Sequence, residues 1–549
     1  MTKKTESTGQ VGDRIVFGSM PDADKEFVVD ALKKGASRRQ VMGWLMAMGA
    51  TIGAAGSIVT SATEAIAATP KKGGKIRMAW DQHGPGDTLD PAGYLNTLDY
   101  CRGRMMYNSL VRFNEDLTVR GEVATSFEAS PDAKTWTFKI RKDIQWHDGS
   151  KLTADDVVYS MMRHVGEDSK SAVKVLSSPV KEWKKVDEET VQATCHQGFA
   201  ELPVVLATFH FKIIKNGTTD FTNPTGTGPF KLKEFKPGIR AVHVRNDNYW
   251  NDEAGPYVDE IESFGVTDSV ARVNALLSGD LNMMGNLDPK AIAQVEQTDG
   301  VEVFEVPSGR YPSITCMVDR EPGNNKDFVL GLKHLQRRDR VLKVVQKGKG
   351  SIGNDQPICA PYGAGYCKEQ VIRPYDPEKA KFHLQKSGIT SAEVNVAEIY
   401  PGMTDICLML QRECAKVGFE LKIKKVPNDG YWGAVWMKTP MNVVAWNMRP
   451  SATIMMGLAY KSDAKWNETG WKNERFDQLH TMAVGELDAG KKYEMLCEMQ
   501  KLISDHSGSL VPTTASYVDG ISSKVKGMPR VSLAALGGME WPEFVWLDS

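Results

Sequence analysis

The stretch from Thr135 to Ser160 (TWTFKIRKDIQWHDGSKLTADDVVYS) constrains this chain more than any other. Trp136, Phe138 and Ile140 alternate with Thr137, Lys139 and Arg141, the period-two pattern of a half-buried strand. His147-Asp148-Gly149 supplies a turn. Thr153 then predicts an N-cap, with Asp156 three residues on completing a capping box before Val157, Val158 and Tyr159. The expected local structure is strand, turn, capped helix. Asp155 and Asp156 need no catalytic or metal role, since acids in a first helical turn favour the helix dipole.

Read as a motif, W-T-F-x-I-R-x-D-I-x-W-H-D-G-x-x-x-T-A-D-D-V-V-Y-S closely resembles the signature segment of the peptide/nickel class of periplasmic solute-binding proteins, the extracytoplasmic receptors of ABC importers. Asn223 to Leu232 (NPTGTGPFKL) resembles that family's G-T-G-P-F/Y-K return into the first ligand-binding lobe. Asn248-Tyr249-Trp250, Val270 to Asp280 and the loop Ala464 to Phe476, which contains Trp471, also resemble segments of the family. Met105 to Phe113 resembles its helix entering an accessory domain.

The resemblance implies an α/β fold of two lobes joined by a hinge, with an accessory domain inserted in the first lobe. The expected divisions are residues 1–67 as a leader, 70–106, 223–306 and 516–549 as lobe I, 107–222 as the accessory domain, and 307–515 as lobe II. A ligand enclosed between closing lobes would be presented to an ABC permease in the inner membrane. No chemical step and no cofactor is expected, and the protein is expected to act as a monomer.

The leader has its own signals. Arg38-Arg39 precedes 23 uncharged residues, Val41 to Thr63, and Ala65-Ile66-Ala67 offers small residues for cleavage. This resembles a twin-arginine signal with an extended charged segment before it. The uncharged stretch is long enough for a membrane anchor, but Gly49, Gly53 and Gly56 and the A-x-A site favour cleavage and a soluble periplasmic product. The remainder carries 60 basic and 62 acidic side chains, which gives no footprint for nucleic acid. Twin-arginine export also raises a cofactor-containing redox enzyme as an alternative, but no cofactor motif is present. Gly348 to Gly353 spells G-x-G-x-x-G after a basic helical stretch rather than a strand, so it fails the context a nucleotide loop needs.

All eight cysteines follow the leader. Cys359 and Cys367 bracket a turn-rich segment and are the best local disulfide candidates. Cys407 and Cys414 are not partners for each other. Seven positions on one helix rise about 10.5 Å, beyond the roughly 7 Å Cα limit for a bridge.

Lys75 to Trp80 and Met441 to Trp446 read as buried strands. Open α/β sheets place ligands at the carboxyl ends of such strands, which points at Trp446, Asn447, Met448 and Arg449. Family resemblance adds Tyr94, Asn96 and Thr97 as cleft residues, and Trp471 is a further candidate. Peptide binders of the family often carry W-x-x-D where this chain has Trp446-Asn447-Met448-Arg449. Arginine in place of the acid favours a carboxylate or phosphate over an ammonium. The expected ligand is therefore a small solute, peptide-like or another anionic small molecule, and the alternative for Arg449 is an internal salt bridge.

Overall fold

Alternation over Trp136, Phe138 and Ile140 does produce a strand, Thr135–Ile140, with those three side chains buried. Gly149 takes φ +85° in the following turn. Thr153 caps the helix Ala154–Met162 in a reciprocal box, its amide donating to Asp156 Oδ2 at 2.7 Å. Asp155 pairs with Lys185 at 2.9 Å, a surface contact rather than a site. The computed structural model describes residues 28, 31, 38–47, 69–251 and 255–548. Most of the leader expected over residues 1–67 therefore lies outside the described residues, apart from positions that include a helix, Arg38–Ala47. Among the described residues no helix is long and apolar enough to cross a membrane.

From Lys72 onward the chain forms one unit built on a 12-stranded sheet. In one half, Lys75–Trp80 runs parallel to Glu260–Gly265 and to Met283–Met284. In the other, Ser391–Val396 runs parallel to Glu420–Lys425 and Met441–Trp446. Two long strands, Val301–Cys316 and Thr513–Ser522, join the halves. Val301 to Val306 pair with Ser522 to Tyr517 in the first half, whereas Tyr311 to Cys316 pair with Trp446 to Met441 in the second. Between them the register breaks, from Val306 to Arg310. The carboxyl end of Met441–Trp446, opposite Tyr311, therefore lies next to the break.

A separate antiparallel sheet, in the order Ala124–Ala129, Thr135–Ile140, Thr190–Cys195, Val180–Asp187, carries the signature segment. Gly226 and Gly228 are needed on the return from this region because the backbone passes too close for a side chain. A Cβ on Gly226 would lie 1.8 Å from the Met106 carbonyl oxygen. The entering helix is Thr97–Met106, not Met105 to Phe113. Val111–Phe113 instead pairs as a strand with Val119–Gly121.

Buried ion pairs tie this region to the C-terminal segment. Arg104 donates to Glu122 at 3.0 Å and to Glu540 at 2.6 Å. Arg112 donates to Glu540 at 2.7 Å and also pairs with Glu543. Tyr249 Oη donates to Glu543 at 2.7 Å. Burial pushes the Glu122 carboxyl up, but Arg104 and Arg112 outweigh it and hold it at about 2.

Candidate functional site

Asn447, Met448 and Arg449 leave the strand Met441–Trp446 and form one wall of a cavity of about 280 Å³. Tyr362 fixes this loop from behind, its hydroxyl accepting from the Arg449 amide at 3.2 Å. Met448 packs against the crossing strand, where Gly309 N donates to its sulfur at 3.1 Å. Gly309 has to be glycine, since a Cβ there would lie 2.5 Å from the Tyr362 ring and 3.1 Å from Met448 Cγ. Close packing of Tyr362 and Met448 is thus what aims the loop into the cavity.

Arg449 is half-buried, and its guanidinium carbon lies 5.6 Å from the centre of the Trp446 ring. Among the described residues no carboxylate pairs with it. Trp446 is itself held by Glu468, whose Oε2 accepts from the indoles of Trp446 at 3.1 Å and Trp436 at 3.0 Å. Burial pushes the Glu468 carboxyl up to about 7, against the lowering effect of the two indole donors. Glu468 therefore sets the plane over which Arg449 lies.

The facing walls come from distant parts of the chain. Tyr100, on the helix Thr97–Met106, stacks on Phe209 with centroids 4.4 Å apart and planes 12° from parallel. His210 lines the cavity beside them and donates from Nε2 to the Tyr94 carbonyl at 2.9 Å. Burial lowers His210 to about 4, so its ring is neutral at physiological pH. Tyr517 closes another side, and its hydroxyl donates to the Leu533 carbonyl at 3.2 Å. Trp466, Ile454 and Leu458 complete an apolar side next to Arg449.

Of the residues expected at a site, Thr97, Asn447, Met448 and Arg449 come together on this cavity. The other four do not line it. Tyr94 is buried, its ring packed where a Gly103 side chain would otherwise stand, and it serves His210 through its carbonyl. Asn96 caps the helix that carries Tyr100, accepting from Asp99 N at 3.1 Å. Trp446 stands behind Arg449. Trp471 is core, packed edge-on to Phe476 with centroids 5.2 Å apart. Tyr100, Phe209, His210, Trp466 and Tyr517 were missed. An aromatic pair such as Phe209-His210 gives no periodic signal, so only the fold reveals it.

The expected Cys359–Cys367 disulfide is not the one present. Cys367 bonds Cys497, 130 positions away on the helix Ala489–His506, with Cα atoms 4.9 Å apart. The turn Ala360–Gly365 sends its two flanking cysteines to different surfaces. Cys359 faces the crossing strand, its thiol 3.7 Å from the Ser308 carbonyl, and stays free. Cys367 faces the helix, its amide donating to Gln500 at 3.1 Å. Cys407 and Cys414 lie on one helix, Met403–Lys416, unbonded to each other as their spacing predicts, and both are free thiols.

A sheet in two halves, joined by two long strands and holding a cavity beside the junction, suits a receptor for a small molecule. The chain belongs to the bacterial extracellular solute-binding proteins, family 5, whose family description matches residues 118–467. It is 26% identical to the dipeptide-binding protein of Escherichia coli K12 over 469 residues, which is 77% of this chain and 86% of that one. It is also 26% identical, over 86% of this chain and 94% of the other, to the probable D,D-dipeptide-binding periplasmic protein DdpA of the same organism. The solved structure of HbpA2 from Haemophilus parasuis superposes with a TM-score of 0.76 at 19% identity, covering 87% of this chain and 100% of that one. The chain is thus a substrate-binding component that supplies an ABC importer, and its family consists of binding proteins rather than enzymes.

Proposed function

We propose that this protein captures a small anionic solute in the cavity beside Arg449, with the two lobes closing over it. Arg449 carries the reading. It is a half-buried guanidinium, laid over an indole, that no carboxylate of the described chain neutralises. A carboxylate or phosphate on a ligand would complete it with a charge-assisted, bidentate contact. Thr97 and Asn447 supply polar groups around the same space. Closure would bend the sheet at residues 307–309, which makes 307–515 one moving body and the remainder after the leader the other.

Removal of one partner of a desolvated charge pair costs about 2–5 kcal/mol. Arg449→Ala should therefore weaken binding of the anion that titration identifies by roughly 30-fold to several thousand-fold. Arg449→Lys should recover only part, because an ammonium cannot reproduce the fork. Calorimetric titration checks both, and normal affinity in Arg449→Ala would remove the anionic reading.

Export by the twin-arginine route, with the mature chain beginning near Ala68 and acting as a monomer, is part of the same proposal. Its support is the Arg38-Arg39 pair before an uncharged stretch and the small residues at 65–67. Replacing both arginines by lysine should hold precursor in the cytoplasm, whereas an unchanged periplasmic yield would point to general secretion.

A further inference from the structure

The lining of the cavity narrows the ligand further, on the reading that Arg449 holds an anion. Every wall contributes apolar surface. Tyr100 and Phe209 offer a stacked aromatic edge, while Ile454, Leu458 and Trp466 offer further aliphatic and aromatic surface. Arg449 is the one formally charged side chain on the lining, which includes no aspartate or glutamate. The neighbouring histidine is neutral, held by burial at about 4. The nearby acids are engaged elsewhere. Asp99 and Asp87 are buried and both accept from Arg102, at 3.0 and 3.1 Å. Asp519 is buried and accepts from the amides of Asn286 and Leu536.

This distribution separates two kinds of anion. A zwitterionic amino acid or free dipeptide brings an ammonium that must shed water and find a carboxylate. Here it would meet a like charge and no carboxylate, and the attraction of the aromatic faces is too weak to replace an ion-pair partner, so its burial is costly. A monoanion with an apolar body meets a complementary surface over most of the lining, with Thr97, Thr208, His210 and Asn447 as its uncharged polar points. Its carboxylate matches the guanidinium and its body matches the walls. At about 280 Å³ the cavity stands at the small end of ligand sites, sized for one compact molecule rather than an extended chain.

We infer that this pocket takes a small monocarboxylic acid with an aromatic or branched aliphatic body and no ammonium group, and that it rejects free dipeptides. Selectivity then comes from what the wall lacks as much as from Arg449, since no acid is present to receive a cation.

Calorimetric titration of the purified protein tests this with probes on one skeleton: 3-phenylpropionate, phenylalanine, which adds an ammonium, and 3-phenylpropionamide, which removes the charge. Branched and linear alkyl monocarboxylates and the dipeptide phenylalanyl-phenylalanine complete the set. The acid or a branched relative should bind, and phenylalanine and the dipeptide should bind at least roughly 30-fold more weakly. Equal or tighter binding of phenylalanine or the dipeptide overturns the inference while leaving Arg449 as an anion holder. Equal binding of the amide and the acid overturns the anionic reading itself. No binding by any monocarboxylate at millimolar concentration overturns the proposed ligand class. In the supporting case, Phe209→Ala should weaken 3-phenylpropionate more than it weakens a short linear carboxylate, because only the aromatic probe uses that face.

Discussion

Two sets of arginines in this molecule stand in opposite circumstances. Arg104 and Arg112 are buried against Glu122, Glu540 and Glu543, every guanidinium matched by a carboxylate of the chain itself. Arg449, and Arg310 at the register break, meet aromatic rings instead, Trp446 at 5.6 Å and Tyr517 at 4.7 Å, and have no ion-pair partner among the described residues. The first set is closed and holds segments far apart in sequence together. The second is open, and Arg449, the member that lines the cavity, has charge to offer there. The same side chain is structural where the protein supplies its counter-ion and receptive where it does not.

Mutation should separate these roles. Arg112→Ala leaves Glu540 and Glu543 short of a partner in a dry site and should cost about 3–5 kcal/mol of stability. Arg449→Ala, whose large effect is on affinity, should leave the unliganded protein close to wild type in the same denaturant titration. Equal destabilisation by the two substitutions would abolish the distinction.

A smaller loss should follow from opening the Cys367–Cys497 bridge, which ties the segment just after Tyr362 to the helix Ala489–His506. Its 130-residue span favours a sizeable chain-entropy contribution, and Cys497→Ser should cost about 2–4 kcal/mol. Reducing agent should reproduce that loss in the wild type and add nothing in the variant. If stability is unchanged in both, the bridge does not brace the loop that carries Tyr362.

The smallest effect concerns Glu468, which supports Trp446 under Arg449. Its folded-state carboxyl sits at about 7, above the ordinary value of 4.5. The folded state therefore binds more protons than the unfolded state between those values, and stability falls as pH rises through that window. Glu468→Gln should remove this dependence, giving a variant more stable than wild type near pH 7.5 by on the order of 2–3 kcal/mol. Its advantage should vanish near pH 4. An identical pH profile for both proteins would show that Glu468 is ionised in the fold, with its charge compensated.

Much of the scaffold was legible in the sequence, and for definite reasons. Lys75–Trp80 and Met441–Trp446 have the limits their apolar runs suggest, and the Thr153–Asp156 box forms as its spacing demands. Local patterns encode these features. The cavity was only half legible. Asn447 to Arg449 follow from the rule that strand ends carry sites, but Phe209, His210 and Tyr517 arrive from elements hundreds of positions apart. Trp471 looked like a cleft tryptophan until Phe476 packed against its ring. The cysteines teach the same lesson, because nearness along the chain favoured Cys359 while the helix bearing Cys497 supplied the partner.

The register break between Val306 and Arg310 carries one more consequence. The two long strands remain hydrogen bonded to each other before it, from Val301 to Val306, and meet again at Arg310 and Ala515. A joint stitched on both sides of its fold line can bend, but it cannot shear or come apart. On the closure proposed above, occupancy of the cavity would be converted into a single angle. A membrane complex that samples only the outside of this protein would then read that angle without touching the cargo.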